Sequence, residues 1–449
     1  MRRLKMLGLG VLSGLLLSGC GIIHVYSAAN VARAADPAPV KPTRATLALG
    51  EADMDRDVFV GIAMSGGGAR AANFSAATLL ELERLGFLAH ASAISAVSGS
   101  ALTAAYYGIY ARPDQSQEER AKHWNSESVR ERFLLDFQTQ WLIQWFNPWN
   151  IVRYWLTDFD RSDMMAAVFD ALLFEGRSPP RFEDMGAGLP KILINATSLP
   201  GVGAFVFTDE EFESLGSRLD RYPVSHAIMA SGAFPGAFHN VTLEDFARKG
   251  YYQHLFDGGP SDNLGVLTLL KVVDRVRPKR GCFLFMVDAF PYQTGAGEKR
   301  SDTRSALDFF VDRNVSESAD VFLTLRRYDT LERRLGYRRD IAAGVIPQWS
   351  FTTDGGIECS VWHLTFQSLI VRPQTREDLK KKIEDEKQVN LIPTRYRLEG
   401  PRPAREIQNL IFDVANHLLQ GDDVMLKAAC EWFRARGLPA CNAVDLGGR

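Results

Sequence analysis

The chain has 449 residues, enough for one large α/β domain or two modest ones. Its hydrophobic content of 46% fits a globular protein rather than a disordered one. Lysine and arginine total 52 against 54 aspartates and glutamates, a net charge of −2, so there is no basic footprint for nucleic acid.

Residues 1–19 read as a signal peptide, with a basic start at Arg2, Arg3 and Lys5 and an apolar run over 6–17 too short to span a bilayer comfortably. The run ends in Leu17-Ser18-Gly19-Cys20, which resembles the lipobox of bacterial lipoproteins. That resemblance implies a diacylglyceryl group on Cys20. It also implies a lipid-anchored protein of the bacterial cell envelope, in the outer membrane because Gly21 stands where an inner-membrane retention aspartate would be. An ordinary signal peptide with a coincidental cysteine is the alternative. Residues 20–55 are rich in Ala, Pro and Thr with little apolar periodicity, and read as the lipidated N-terminus and a flexible tether.

The stretch 58–107 organises the rest. Two apolar runs, 58–64 and 93–97, are each cut off by a Gly/Ser cluster that opens into an Ala/Leu-rich helical run. Strand, tight turn, helix, repeated, argues for parallel strands with crossover helices and places both turns at the carboxyl edge of one sheet. The first turn is Ser65-Gly66-Gly67-Gly68-Ala69-Arg70, whose glycine N–H groups can nest an anion. The second is Ala96-Val97-Ser98-Gly99-Ser100, a serine between tiny neighbours as in a nucleophile elbow. Either turn alone reads equally well as plain tight-turn chemistry. Together they suggest an anion-stabilising loop beside an exposed hydroxyl.

Residues 112–182 form an aromatic-rich helical insertion holding Trp141, Trp145, Trp149 and Trp155. Those rings either pack on the core or make a wall or lid for an acyl chain at a lipid interface. Residues 191–199 and 203–208 read as further strands, and 224–238 as a helix running into a loop. Ser231 in that helix lacks a preceding strand and reads as support rather than nucleophile. Asp257-Gly258-Gly259 follows a short aromatic strand, which would put the Asp257 carboxylate at a strand end as well. On local grounds Asp-Gly is also a common turn. His254 should face away from Asp257 across the strand, and His226 and His239 sit outside any catalytic spacing, so a histidine base is not expected.

The three motifs in this order resemble the patatin-like phospholipases and the related group IV cytosolic phospholipase A enzymes, which carry a Gly-Gly-Gly-x-Arg/Lys loop, a Gly-x-Ser-x-Gly elbow and a late Asp-Gly-Gly. Here Ala96 replaces the first elbow glycine and Ser100 the last; a Ser-Gly-Ser ending occurs in the cytosolic branch. VSHAIMASGAFPGAF over 224–238 and the Ile-Pro-Thr ending with its amphipathic helix extend the likeness. It covers roughly 56–421, leaving 422–449 as a C-terminal extension.

The resemblance implies an α/β, three-layer patatin-like fold with a mostly parallel central sheet and helices on both faces. It implies Ser98 as nucleophile and Asp257 as its base. Gly66, Gly67, Gly68 and Gly99 would form the oxyanion hole, and Arg70 would either steady the glycine loop or meet a substrate phosphate. The expected reaction cleaves acyl esters of phospholipids or lysophospholipids, with membrane lipids as both substrate and anchor. No cofactor, no calcium or other metal, no nucleic acid and no protein partner is expected. The alternatives are an esterase or thioesterase acting on other acyl groups, and a catalytically inactive lipid-binding lipoprotein. Of the remaining cysteines, Cys282 reads as a small buried hydrophobe in an apolar strand. Cys430 and Cys441 are close enough in sequence for a local disulfide, with two free thiols as the other reading.

Overall fold

Strands β1 (Phe59–Met64) and β2 (Ala93–Val97) pair in parallel, and every residue of both is buried. Continuous apolar runs of this kind are what a strand covered on both faces requires. In the computed structural model, the described residues are 28–49, 57–176, 178–199, 203–290, 313–337, 348–371, 375–386, 395–398, 402–421 and 423–441. The expected signal peptide and Cys20 lie outside them.

The other strands are β3 (Lys191–Ser198), β4 (Gly203–Val206), β5 (Val241–Asp245), β6 (Tyr251–Phe256), β7 (Cys282–Asp288), β8 (Gln348–Thr352) and β9 (Glu358–Thr365). They form one sheet in the order β5-β6-β3-β2-β1-β7-β9-β8, with β4 paired to β3. The centre, β3-β2-β1-β7-β9, is parallel, and the antiparallel pairs lie at its flanks.

Alternation along the strands splits the core in two. Val60, Ile62 and Met64 of β1 join one apolar cluster, and Phe59 and Ala63 join the other. Phe283, Phe285 and Val287 of β7 fall on the first side, Leu284 and Met286 on the second. The first face is covered by α1 (Gly68–Arg84), α2 (Gly99–Tyr110) and a late helix, Ala404–Gln420; the second is covered by Val266–Val276. Helices on both faces of a mostly parallel sheet are the expected architecture.

Three features depart from the sequence reading. The segment 28–49, taken as part of a flexible tether, is pinned to the domain. Asn30 exchanges hydrogen bonds with the Glu244 main chain at 3.0 Å each way, and the Arg44 carbonyl accepts from Ile192 N–H at 2.8 Å. Thr43 Oγ1 donates to Asp209 at 3.0 Å, and the buried Arg218 donates to the Asp36 and Ala38 carbonyls at 3.1 and 2.7 Å. Second, Cys282 is no mere hydrophobe: it is disulfide-bonded to Cys359, its register partner on the neighbouring strand. The Cys430–Cys441 disulfide is also present.

The third concerns the tryptophans. The insertion is helical, including Phe137–Gln144, Pro148–Leu156 and Arg161–Leu172. Trp141 is buried there, but Trp149 and Trp155 are 67% and 69% exposed and Phe146 is 82% exposed, so most of these rings do not pack on the core. No described helix is long and apolar enough to cross a membrane.

Candidate active site

Ser98 sits between the end of β2 and the first residue of α2, with φ 52° and ψ −121°. A non-glycine residue in this region is held under strain by its surroundings, and a strand-to-helix elbow is where such strain presents a nucleophile. The surroundings here are specific. The Ser98 N–H donates to Ser231 Oγ at 2.8 Å, and Ser231 Oγ donates to the Asn195 carbonyl at 2.6 Å. Asn195, on β3, donates from Nδ2 to the Ala96 carbonyl at 2.9 Å and accepts from Thr268 Oγ1 at 2.6 Å. Ser231 is therefore a brace for the elbow. Sequence reasoning had set it aside as nucleophile and had not found Asn195 at all.

The elbow and the glycine loop are locked together. A Cβ on Gly99 would lie 2.0 Å from the Gly68 carbonyl oxygen, so only glycine permits this approach. Ser100, the departure from the usual elbow, is buried; its hydroxyl donates to the Ser65 carbonyl at 2.6 Å and meets Ser75 Oγ at 2.7 Å. The serine that replaces a glycine is thus a tie between the two turns. Within the loop, Gly67 and Gly68 take φ 139° and 58°. Their N–H groups, and that of Gly99, make no hydrogen bond to any described residue. Gly66 differs from the expectation that it joins the oxyanion donors: its N–H is spent on the Asn263 carbonyl at 3.0 Å. Arg70 is buried and its Nε donates to the Ala289 carbonyl at 2.8 Å, which braces the loop from behind.

Asp257 reaches the same edge from the other direction. Strand β6 runs antiparallel to β3, with Phe256 opposite Thr197, so the chain arrives at the carboxyl edge from outside the parallel sheet. Asp257 is 4% exposed, and its Oδ1 accepts the Gly259 N–H at 2.8 Å. Thr197 Oγ1 donates to its carbonyl at 2.7 Å, and its N–H donates to the Ala233 carbonyl at 3.1 Å. Burial pushes the carboxyl pKa up to about 6, against the Gly259 N–H and the nearby Ser98 hydroxyl, which favour the charged form.

The histidines are engaged elsewhere. His226 pairs with Asp163, His239 with Asp160, and His254 Nδ1 lies 2.9 Å from Thr242 Oγ1. Among the described residues no group of three His, Cys, Asp or Glu side chains converges as a metal site.

Sequence reasoning also missed Tyr396. It is buried, its hydroxyl donates to the Gly232 carbonyl at 3.2 Å, and burial first and the Asp257 charge second raise its pKa. No motif flagged it, because nothing local distinguishes this tyrosine.

Residues 62–270 match the family model described as Patatin-like phospholipase. Among solved structures the chain is similar to human GIVD cytosolic phospholipase A2, at 14% identity and a TM-score of 0.49, over 86% of this chain and 61% of that one. The same human enzyme in complex with methyl gamma-linolenyl fluorophosphonate aligns at 16% identity and a TM-score of 0.46, over 88% and 62%. VipD from Legionella pneumophila aligns at 11% identity and a TM-score of 0.31, over 86% and 71%. The chain thus spans about three fifths of the length of the human chains it matches. No curated protein sequence matches it. Residues 62–270, with their glycine loop, serine elbow and Asp-Gly-Gly turn, are the part of the chain that is similar to the patatin-like phospholipases.

Proposed function

We propose that the protein is a serine acyl hydrolase that cleaves ester bonds of phospholipids or lysophospholipids through a Ser98–Asp257 dyad. One observation supports this reading: a strained elbow serine and a buried carboxylate whose pKa is pushed up to about 6 stand at the same sheet edge, beside two unspent glycine N–H groups. A carboxylate of ordinary pKa is a feeble base towards a hydroxyl; burial raises its proton affinity while leaving it ionised at neutral pH.

In this mechanism Ser98 Oγ attacks the ester carbonyl carbon as its proton passes to Asp257. The carbonyl oxygen becomes an oxyanion held by the Gly67 and Gly68 N–H groups, with Gly99 N–H at the start of α2 as a third donor. Collapse expels the alcohol, which takes the proton from Asp257 and leaves an acyl-serine. Water, deprotonated by the same carboxylate, then releases the fatty acid and restores Ser98. The exposed Trp149 and Trp155 suit a substrate met at a lipid–water boundary, where such rings prefer to sit.

A fluorophosphonate probe tests the nucleophile, with labelling expected in the wild type and absent in Ser98→Ala. Rates on phospholipid vesicles against short soluble esters test the substrate; turnover of soluble esters alone would sink the phospholipase assignment and favour the general esterase.

We further propose lipid anchoring through Cys20 in a bacterial envelope. Two disulfides support an oxidising compartment. Metabolic incorporation of an alkynyl fatty acid, lost in Cys20→Ala, is the expected result; equal incorporation in both would refute it.

A further inference from the structure

Tyr396 belongs to the stretch 395–398, which lies beside the glycine loop. The Arg395 carbonyl accepts the Ala69 N–H at 2.7 Å, which ties the segment to the first turn of α1, next to the oxyanion glycines. The tyrosine ring is wedged against Phe169 and Phe238, with centroids 5.4 and 6.0 Å away. Its hydroxyl points inward and donates to the Gly232 carbonyl at 3.2 Å.

Gly232 shows how tightly that hydroxyl is held. Its φ of −111° is open to any residue, so backbone strain does not explain the glycine. A Cβ there would instead lie 1.7 Å from the Tyr396 hydroxyl oxygen. The glycine makes room for the phenol.

A tyrosine buried merely to fill the core would be satisfied by the Gly232 carbonyl alone. This one has more company: Gly232 stands between Ser231, whose Oγ accepts the Ser98 N–H at 2.8 Å, and Ala233, whose carbonyl accepts the Asp257 N–H at 3.1 Å, so three successive residues hold the serine, the phenol and the aspartate side by side. With burial first and the Asp257 charge second, the phenol is held protonated well above its usual range, so it is a neutral hydrogen-bond donor at every working pH. A phenol carries one proton and two acceptor sites, and rotation about its C–O bond is enough to turn the proton from one partner to another.

We propose that the Tyr396 phenol is a second hydrogen-bonding partner of the Ser98 hydroxyl, fixing it towards Asp257 and donating to the serine oxygen as its proton leaves. Tyr396 forms and breaks no covalent bond; the proton transfer remains between Ser98 and Asp257. The proposal rests on the Ser98–Asp257 reading and adds a residue to it.

The test uses the full chain with Tyr396→Phe, which removes one oxygen and keeps the ring. On a short soluble ester, kcat is expected to fall about 100-fold, the low end for losing one polarising donor, with KM within about twofold. The rate of fluorophosphonate labelling should fall by the same factor, and the melting temperature should shift by only a few degrees. Gly232→Ala displaces the phenol without altering it and should reproduce the kcat loss. Site-specific 3-fluorotyrosine at 396, nearly isosteric and a stronger acid, keeps the fold where the other variants lose it, and should change kcat at constant KM. Unchanged kcat and labelling in Tyr396→Phe, or with 3-fluorotyrosine, overturns the role of Tyr396 while leaving the hydrolase intact. A folded wild type that resists labelling altogether removes the hydrolase reading and Tyr396 with it.

Discussion

The main-chain N–H of Ser98 donates to Ser231 Oγ, 133 residues further on, at 2.8 Å. Removing that oxygen in Ser231→Ala leaves a half-buried amide unpaired at the strained elbow and frees the Asn195 carbonyl from its donor. The expected cost is about 1–3 kcal/mol of stability. Because Ser98, the proposed nucleophile, is untouched, fluorophosphonate labelling should be slowed but retained. Denaturant unfolding and labelling on the same preparation check both halves; complete loss of labelling in a folded Ser231→Ala would make Ser231 the nucleophile instead.

The acidity of Asp257 makes two measurements interdependent. A base with a pKa of about 6 should give kcat/KM an acid limb with its midpoint near that pH. Stability moves in the opposite sense. Between the ordinary value of 3.8 and the folded value of about 6, the folded chain keeps a proton that the unfolded chain has lost. Stability therefore falls as pH rises through this window, by about 3 kcal/mol at most for a shift of this size. Asp170, Asp209 and Asp262 are raised to about 6 as well, so the contribution of Asp257 is the difference between wild type and Asp257→Asn. The variant should be inactive and lose less stability from pH 4 to 7; an equal pH slope would deny Asp257 its raised pKa.

Gly99→Ala is expected to injure both turns together. Its methyl group would have to push the Gly68 carbonyl from 2.0 Å to beyond van der Waals contact, and Gly68 carries one of the two unspent donors of the loop. Overpacking of this kind costs about 1–3 kcal/mol, and loss of aligned oxyanion donors about 100-fold or more in kcat. Thermal melts and initial rates on a soluble ester measure the two effects; near-wild-type kcat would show that the Gly68 N–H is not used.

The segment 28–49 should prove essential to the fold. Arg218 is almost wholly buried, donates to both oxygens of the fully buried Asp220, and donates to three carbonyls of the segment at 2.7–3.1 Å. Arg218→Ala strands the Asp220 charge, at a cost of about 3–5 kcal/mol, and releases the segment to proteases. Limited proteolysis should then cut within 28–49 in the variant and spare it in the wild type; matching cleavage patterns would mean the clasp is idle.

The strand–turn–helix repeat over 58–107 was legible because strands buried on both faces are continuously apolar and end abruptly in glycine and serine. Asp257 was legible only from motif order, since β6 is a half-exposed strand with no inward pattern of its own. What stayed hidden depends on contacts between distant parts of the chain. The partner of Cys282 lies 77 residues away, on a strand that only the sheet brings beside it. Asn195 and Tyr396 look like ordinary strand and loop residues until the sheet edge assembles. The segment 28–49 has the composition of a linker, yet much of its binding runs through backbone N–H and carbonyl groups, which composition does not register. The tryptophans left two readings open, packing on the core or a wall at a lipid interface, and the exposure of Trp149 and Trp155 removes the first for those two rings.

Strand β3 lies between the strands that deliver Ser98 and Asp257, and it touches both: Asn195 holds the backbone before the serine, and Thr197 holds the carbonyl of the aspartate. The strand acts as a spacer gauge. Conservative exchanges at these two positions would widen or narrow the gap between hydroxyl and carboxylate while altering neither, giving a dial for the proposed turnover.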